Sequence, residues 1–257
     1  MKKILSLVLA AMMLMACVSC GGGSVADVQK VKDAGKMIIG ITEYAPMNYQ
    51  ENGEWTGFDT EFAQLVCEKL GVSAEFIVID WDNKILELDA GSIDAVWNGM
   101  TITDEVKNGM SVSNAYVKNA QVVVMSADAV ESYADAASMA ELAFAVEAGS
   151  AGEAAAADAG LTNVTAVVDQ ATALMEVSSG SVDACVIDIT MANAMTGEGT
   201  SYADLGYKVE LTTEEYGIGF RKGSDLTEEV NKIMADLIAD GTLPALAAKY
   251  NLTLAAN

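Results

Sequence analysis

Two stretches of the chain place polar residues where they could hold a small charged molecule. Residues 91–95 read Gly-Ser-Ile-Asp-Ala, and a close copy, Gly-Ser-Val-Asp-Ala, occupies residues 180–184. Each copy follows a helical pattern and leads into an apolar run. The polar residues beyond the two runs are Asn98, Gly99 and Thr101 in the first case and Asp188 in the second. Because open α/β sheets bind ligands beside the carboxyl ends of their strands, the echo predicts two α/β lobes that face a common ligand.

The residue types that do other kinds of chemistry are scarce in this sequence. It has 37 acidic residues, 14 basic residues and no histidine, a formal net charge of −23, which excludes a nucleic-acid partner. Without histidine or closely spaced cysteines in the mature chain, a Cys/His zinc site is excluded and no cofactor is expected. Cys67 and Cys185 lie in apolar periodic segments, so we expect two buried, unpaired thiols. With no nucleophile–base pair, the sequence predicts binding rather than catalysis.

The N-terminus has the features of an export signal. Lys2 and Lys3 precede an uncharged apolar run shorter than the ~20 residues that a membrane-spanning helix needs. Cys20 is followed by a Gly-Gly-Gly-Ser tether, which resembles a bacterial lipoprotein signal in which that cysteine is lipidated. We therefore expect a signal peptide at residues 1–20 and a lipid anchor at Cys20, on the extracytoplasmic face of the cell membrane (the periplasm if the host has an outer membrane). Cys17 is a competing lipidation site, and an ordinary cleaved signal is the third alternative.

Apolar periodicity divides the rest of the chain into alternating strands and helices, which favours an α/β fold with mainly parallel sheets. The strands are predicted at residues 37–41, 74–79, 121–125, 144–146, 163–168, 184–187, 207–211 and 216–220. The helices are predicted at residues 25–36, 59–70, 81–90, 153–159, 171–179, 225–238 and 243–250. Asp59 is expected to cap the second of these helices.

Two of the predicted strands, residues 121–125 and 216–220, are expected to cross between the lobes. The predicted division is therefore residues 21–36 for the tether and lead-in, residues 37–119 with 216–257 for lobe 1, and residues 120–215 for lobe 2. Two crossings between two lobes predict a hinge.

Residues 57–70 begin Gly-Phe-Asp-Thr-Glu-Phe and continue with spaced apolar residues. This stretch resembles the signature of the bacterial extracellular solute-binding proteins that feed polar amino acid ABC importers, and the likeness extends over residues 37–250. The resemblance implies a periplasmic-binding-protein-like fold, with two lobes of mainly parallel sheet flanked by helices and two crossing hinge strands. It also implies a membrane-anchored monomer that closes on an amino acid or amino-acid-like solute and delivers it to an ABC permease.

The same resemblance assigns ligand-binding residues on both lobes. Their roles are an aromatic loop contact at Tyr44, an aromatic side-chain contact at Trp81, ammonium and carboxylate contacts at Asn98, Gly99 and Thr101, helix N-terminal contacts to the carboxylate at Ser150 and Ala151, and an ammonium partner at Asp188. An amino acid zwitterion needs such opposed groups, because burying either of its charges unpaired would cost several kcal/mol.

One position departs from the family pattern. The family carries a carboxylate-binding arginine three residues after the position of Thr103, and this chain has Val106 there. The single arginine of the chain, Arg221, lies in the exit of a predicted crossing strand, and Lys107 comes one residue late. Three alternatives are open at this stage. The N–H groups at Thr101, Ser150 and Gly152 suffice, Lys107 swings in, or the ligand lacks a free α-carboxylate.

Two other function classes share the implied fold. A dehydratase- or lyase-type enzyme would use an acid in the cleft, for which Glu147 and Glu153 are the candidates. A ligand-sensing lipoprotein would signal through a partner receptor. Relatives selective for cationic amino acids carry an acidic residue at a position that corresponds to about Ile41 and Thr42, and no acidic residue occupies that position here, so the resemblance favours a neutral ligand.

Overall fold

The computed structural model of the protein describes residues 26–256, so the predicted signal peptide and the lipidation at Cys20 lie outside the described residues. Its strands are β1 (Lys36–Ile41), β2 (Tyr49–Glu51), β3 (Glu54–Thr56), β4 (Ser73–Val78), β5 (Ala95–Thr101), β6 (Ser111–Val112), β7 (Val117–Asn119), β8 (Gln121–Ser126), β9 (Phe144–Glu147), β10 (Val164–Val167), β11 (Ala184–Asp188), β12 (Leu205–Glu210) and β13 (Glu214–Phe220). Its α-helices are α1 (Asp27–Ala34), α2 (Phe58–Leu70), α3 (Lys84–Ala90), α4 (Asp104–Gly109), α5 (Ala127–Val130), α6 (Ala151–Asp158), α7 (Gln170–Ser179), α8 (Ile189–Met195), α9 (Leu226–Ala239) and α10 (Thr242–Lys249). Within this part of the chain, no helix is long and apolar enough to cross a membrane.

The first sheet has the strand order β4-β1-β5-β13-β6, and β7 also pairs with β13. Strands β4, β1 and β5 are parallel, so their carboxyl ends meet at one edge. Alternate side chains of β1, namely Met37, Ile39 and Ile41, are fully buried. They belong to the same apolar cluster as Phe62 of α2 and Met234 of α9, and this cluster covers one face of the sheet.

The second sheet has the strand order β10-β9-β11-β8-β12. Strands β10, β9 and β11 are parallel, and β8 runs antiparallel to both β11 and β12. The inner strand β8 is buried from Gln121 to Met125, where it pairs with β11 and β12 and contacts helices α5, α6, α7 and α8. Cys185 on β11 and Cys67 on α2 are buried free thiols, which confirms the prediction for the two cysteines.

The prediction of mainly parallel sheets is right for three strands of each sheet and wrong for the others. The two sheets are mixed, because β13, β6 and β7 in the first and β8 and β12 in the second pair antiparallel. A parallel pair needs a crossover connection of a dozen or more residues. Strands β8 and β13 instead arrive through short links from the opposite sheet, so they enter their own sheet against its direction.

The two predicted crossing strands each lie within one sheet, which corrects their expected role. Strand β8 belongs to the second sheet and β13 to the first. The chain crosses at Ala120, between β7 and β8, and at residues 211–213, between β12 and β13. Two short connections therefore join the two sheets.

The expected cap of helix α2 is also corrected. The N-cap residue is Gly57, and no side chain caps the helix. Gly57 has a φ of 117°, and a Cβ at this position would lie 2.3 Å from the carbonyl oxygen of Met47. The carboxylate of Asp59 is fully buried and accepts hydrogen bonds from the N–H of Gly99, at 2.6 Å, and from the hydroxyl of Tyr116, at 3.0 Å. Asp59 thus fixes the end of β5 rather than the start of α2.

Candidate functional site

A cavity of about 160 Å³ lies between the two sheets, where β5, β9 and β11 end. Seven of the eight predicted ligand contacts line it, namely Trp81, Asn98, Gly99, Thr101, Ser150, Ala151 and Asp188. A wider groove of about 600 Å³ beside the two connections contains none of the eight. The cavity is therefore the candidate site, and it is formed by residues of both lobes.

The wall on the first lobe is a polar network that is already internally bonded. The Nδ2 of Asn98 donates to the hydroxyl of Thr42 at 2.7 Å, and its Oδ1 accepts from the Nδ2 of Asn48 at 2.7 Å. The hydroxyl of Thr101 donates to Glu214 at 2.7 Å. With the Gly99 N–H bound to Asp59, the network holds the end of β5 in one shape.

Tyr44 is placed outside the cavity lining and is buried, whereas the sequence suggested an exposed loop aromatic. Its ring covers Gly99, where a Cβ would lie 2.5 Å from the Tyr44 Cε1. Its hydroxyl forms short hydrogen bonds to Thr190 and Tyr216, so Tyr44 links the first lobe to helix α8 of the second. Its assignment as a ligand contact stays a prediction.

Trp81 and Lys84 form the next part of the wall. Trp81 stands in a short 3-10 turn whose N-cap is Asp80, and Lys84 is the first residue of α3. The ammonium of Lys84 lies 5.2 Å from the centre of the Trp81 ring, a cation–π distance. Lys84 is buried and lines the cavity, and burial lowers the pKa of its amine.

The wall on the second lobe begins at the N-terminus of helix α6. The hydroxyl of Ser150 caps the helix by accepting from the N–H of Glu153 at 3.1 Å, and Glu153 in turn accepts from the N–H of Gly149 at 2.8 Å. The N–H of Ser150 donates to the carbonyl of Glu147 at 3.2 Å. The N–H groups of Ala151 and Gly152 have no acceptor among the described residues, so they are the ones that remain open for an anion.

Asp188 ends β11, and its buried carboxylate is surrounded by amide donors. Gln121 donates to it at 2.8 Å, and Asn119 and Gln170 form short hydrogen bonds to it. Burial and the nearby charge of Glu214 raise the pKa of Asp188 to about 7. A cation that enters the cavity beside Asp188 would favour the ionised carboxylate.

Glu147 ends β9, the neighbouring parallel strand, and its side chain is buried in the cavity wall. Its Oε1 has no hydrogen-bond partner among the described residues. Burial raises the pKa of Glu147 to about 8, and the charge of Asp188 adds to this effect. The second lobe thus presents two adjacent acids to the cavity.

A cation that binds the ligand's carboxylate was considered at three positions, Val106, Lys107 and Arg221. The structure places these three residues in different surroundings. Val106 lines the cavity and is packed with Met100 and Met110 in an apolar cluster. Lys107 is exposed and lies 3.7 Å from Asp104, away from the lining. Arg221 binds Asp27 and other groups of the first lobe and does not reach the cavity.

Sequence reasoning missed Lys84 as a site residue and considered Glu147 solely as an enzymatic acid. Both had a detectable signal. Lys84 follows Trp81 by three residues on a helical pattern, a spacing that places two side chains on the same side of the element. Glu147 ends a predicted strand, as Asp188 does, and parallel strands bring their carboxyl ends to one edge.

The lobes touch on both sides of the cavity. Lys84 of the first lobe donates to the carbonyl of Gly149 in the second at 2.8 Å. A Cβ at Gly149 would lie 2.7 Å from the Cα of Asp82, so the two backbones approach closely there. The hydrogen bond between Tyr44 and Thr190 joins the lobes elsewhere.

Two α/β lobes joined by two short connections, with a polar cavity at the carboxyl ends of their strands, define a two-lobed ligand-binding protein of the periplasmic-binding class. The profile of the bacterial extracellular solute-binding proteins, family 3, matches residues 37–253, and the chain belongs to this family.

Relatives of this chain align with it over most of its length and over most of their own length. The chain is 30% identical to the L-cystine-binding protein TcyJ of Escherichia coli (strain K12) over 237 residues, which are 87% of this chain and 85% of that protein. It is 29% identical to the arginine-binding extracellular protein ArtP of Bacillus subtilis (strain 168), over 97% of this chain and 98% of that protein. These similar sequences are described as amino-acid-binding proteins.

Solved structures show the same fold. A mutant of ArgBP from T. maritima superposes with a TM-score of 0.81 at 28% identity, covering 87% of this chain and 98% of that one. An ancestral amino acid-binding protein, described as a precursor of cyclohexadienyl dehydratase, superposes with a TM-score of 0.80 at 29% identity, covering 88% and 99%. The two-lobed fold predicted from the sequence is confirmed.

Proposed function

We propose that this chain is a lipid-anchored solute-binding protein that captures an amino acid between its lobes and passes it to an ABC importer. The observation that carries the proposal is the cavity itself. It combines the acid Asp188 with the N-terminus of α6, where Ala151 lines the cavity and the N–H groups of Ala151 and Gly152 have no acceptor among the described residues, and it lies between the two lobes. An amino acid zwitterion needs this opposition of charges in a buried site.

Closure is the proposed working motion. Lobe 1 would comprise residues 37–119 with 216–257, and lobe 2 residues 120–215, turning about Ala120 and residues 211–213. Binding in such proteins stabilises the closed arrangement because the ligand contacts both lobes at once. The protein is proposed to act as a monomer and to carry out no reaction, since its similar relatives are named as binding proteins.

The first experiment is a thermal-shift screen of the mature chain against the twenty amino acids, L-cystine, simple amines and short peptides. A ligand at a hundredfold excess over its Kd adds about 2.7 kcal/mol to the free energy of unfolding. At least one amino acid is expected to raise the Tm, and calorimetry should then give one site per chain. If no amino acid shifts the melt, the proposed function is wrong. Chemical conversion of the amino acid that binds would instead indicate an enzyme.

The anchor and the transport role have separate tests. With its signal peptide intact, the wild-type chain is expected in the membrane fraction, and Cys20→Ala should release it. Cys17→Ala is the matched control and should stay in the membrane, whereas the reverse pattern would move the lipidation site to Cys17. Uptake of the bound amino acid by cells should fall when the chain is deleted.

A further inference from the structure

Lys84 is the cationic residue of the cavity. Among the described residues that line it, no other is a lysine or arginine. The residue is 4% exposed, and its Nζ donates to two carbonyls, that of Gly149 at 2.8 Å and that of Trp81 at 3.3 Å. It takes part in none of the ion pairs found in residues 26–256. An ammonium group has three N–H donors, so one donor of Lys84 is left without a protein partner. Carboxylates of Glu105, Glu147, Asp82 and Glu153 act on its charge from a distance, and none of them forms an ion pair with it.

The surroundings of Lys84 fit an anion. Gly149, whose carbonyl accepts from Lys84, stands two residues before Ala151, the first residue of α6. The open N–H groups of Ala151 and Gly152 thus lie at the same end of the cavity as the ammonium. A helix N-terminus favours negative charge, and a buried ammonium without a direct ion pair is costly. Both features are relieved by one carboxylate placed between them.

We propose that Lys84 binds the carboxylate of the ligand together with the N-terminus of α6. This inference rests on the proposed function. It also accounts for the apolar residue at position 106. Lys84 supplies from the start of α3 the cation that position 106 does not supply to this cavity. The carbonyl contact to Gly149 then keeps Lys84 pointed at the second lobe.

The test compares amino acids with their decarboxylated amines. Calorimetry would measure the Kd of L-arginine against agmatine, L-lysine against cadaverine and L-histidine against histamine, for the wild type and Lys84→Met. A charge-assisted hydrogen bond is worth about 1.5–3 kcal/mol, so Lys84→Met should weaken amino acid binding by about tenfold to a hundredfold. Binding of the amine should stay within about threefold. Lys107→Met, an exposed lysine outside the lining, is the matched control and should change neither Kd.

Each result has one meaning. If Lys84→Met weakens the amine as much as the amino acid, Lys84 merely holds the lobes together and the inference is wrong. An unchanged amino acid affinity overturns it as well. Lys84→Arg keeps a cation and should retain the discrimination between amino acid and amine, so it keeps the test valid if Lys84→Met is unstable. The double variant Lys84→Met with Val106→Arg should restore part of the discrimination that Lys84→Met loses. If no amino acid binds the wild type, the proposed function falls and this inference with it.

Glu147 carries a second, independent inference about the ligand's side chain. Its carboxylate is 2% exposed, and its Oε1 is buried without a partner among the described residues. Asp188, beside it, already accepts from Asn119, Gln121 and Gln170. A buried acceptor without a donor costs about 1–3 kcal/mol, and a ligand that supplies a donor removes this cost.

From this geometry we infer that Glu147 pairs with a cationic side-chain group of the ligand, which makes the ligand a basic amino acid. This rests on the proposed function and reverses the sequence expectation of a neutral ligand. That expectation considered the loop after β1, whereas the spare acid lies at the end of β9 in the second lobe.

The test uses a neutral isostere. Wild-type protein should bind L-arginine at least about tenfold more tightly than L-citrulline, because citrulline lacks the charge that Glu147 pairs. Glu147→Gln should bring the two Kd values within about threefold. Glu141→Gln, an exposed acid of the same lobe outside the lining, is the matched control and should keep the preference. Equal wild-type affinities, or a preference that survives Glu147→Gln, would overturn this inference but leave the proposed function standing.

Discussion

Burial raises the pKa of the acids in and behind the cavity wall more than neighbouring charges do. It is the largest cause of the raised pKa at Asp59 and Asp188, both about 7, and at Glu147, about 8. Each of these carboxyl groups has a higher pKa in the folded chain than in the unfolded one. Each therefore stabilises the empty protein fully below the unfolded pKa of about 4, and this contribution is lost as the pH rises through the folded pKa.

The first prediction concerns Glu147 in the absence of ligand. Glu147→Gln should leave the free energy of unfolding nearly unchanged at pH 5 and raise it relative to wild type at pH 8.5. The expected gain between the two pH values is on the order of 4 kcal/mol, since about three pH units separate pH 5 from the folded pKa of about 8 and each corresponds to about 1.4 kcal/mol. Urea unfolding at the two pH values measures it. Glu141→Gln, at an exposed position, should show no such pH-dependent difference. A gain of equal size at both pH values would show that Glu147 is ionised throughout.

Most of the individual site residues were predicted from the sequence, but the balance of positive and negative charge among the buried side chains of the cavity was not. Asp188 could be predicted because an apolar run delivers it to a strand end. The spacing from Trp81 places Lys84 on the same side of its element, but the burial of Lys84 could not be predicted, because it depends on a contact with Gly149, 65 residues away in the chain. The N–H of Gly99 was expected to face a ligand and is bound by Asp59, a contact between residues 40 apart in the chain.

Arg221 connects separate helices and strands of the first lobe, a role that the sequence did not predict. Arg221 follows β13 and binds Asp27 of α1 at 2.9 Å and Asp94, just before β5, at 3.2 Å. It also donates to the carbonyls of Leu88, at 3.2 Å, and Ile93, at 2.8 Å. All three charged side chains are at most 13% exposed, so the group is a buried clamp between α1, α3 and the first sheet.

Removing this clamp should cost stability without touching the site. Arg221→Met leaves Asp27 without a cation and Asp94 with Lys30 alone, so it should lower the free energy of unfolding by about 3–5 kcal/mol. Lys249→Met breaks the more exposed pair with Glu61 and should lower the free energy of unfolding far less than Arg221→Met, because solvent screens an exposed ion pair. Both values come from urea unfolding. The Kd for the bound amino acid should stay at the wild-type value in both variants, and a change for Arg221→Met would mean that the clamp sets the shape of the cavity.

Helix and strand positions were largely predictable, and strand pairing was not. Apolar spacing marked β1, α2, α7 and α9 to within a few residues, because one face of each is buried. Strands β6 and β7 have two and three residues and no periodicity to read. They exist because β13 offers them a partner, and such pairing is a property of the assembled sheet.

At the scale of the whole molecule, the main feature is the contact between the two lobes at Gly149. This glycine has a φ of 67°, and a Cβ there would lie 2.6 Å from a carboxylate oxygen of Asp82 and 2.7 Å from its Cα. Gly149 also binds Lys84 and begins the turn into α6. In this arrangement of the two lobes, position 149 has no room for a side chain unless Asp82 moves.

Gly160 offers a matched comparison, because its φ is 78° and nothing lies within 4 Å of a Cβ built there. Replacing either glycine with alanine adds the cost of a left-handed backbone, about 1 kcal/mol. Gly149→Ala alone also adds an obstacle between the lobes. It should weaken amino acid binding by about tenfold or more, whereas Gly160→Ala should bind like wild type.

Small-angle scattering with and without the amino acid separates closure from stability. The radius of gyration should fall on binding in the wild type and in Gly160→Ala, and less or not at all in Gly149→Ala, although both variants melt at similarly reduced temperatures. If Gly149→Ala closes and binds normally, the Asp82 backbone moves aside at low cost, and the narrow approach of the lobes is not what sets affinity. If Gly149→Ala fails to close yet binds tightly, the ligand is held by one lobe. Lys84 and Glu147, which lie on different lobes, then do not contact the same ligand molecule.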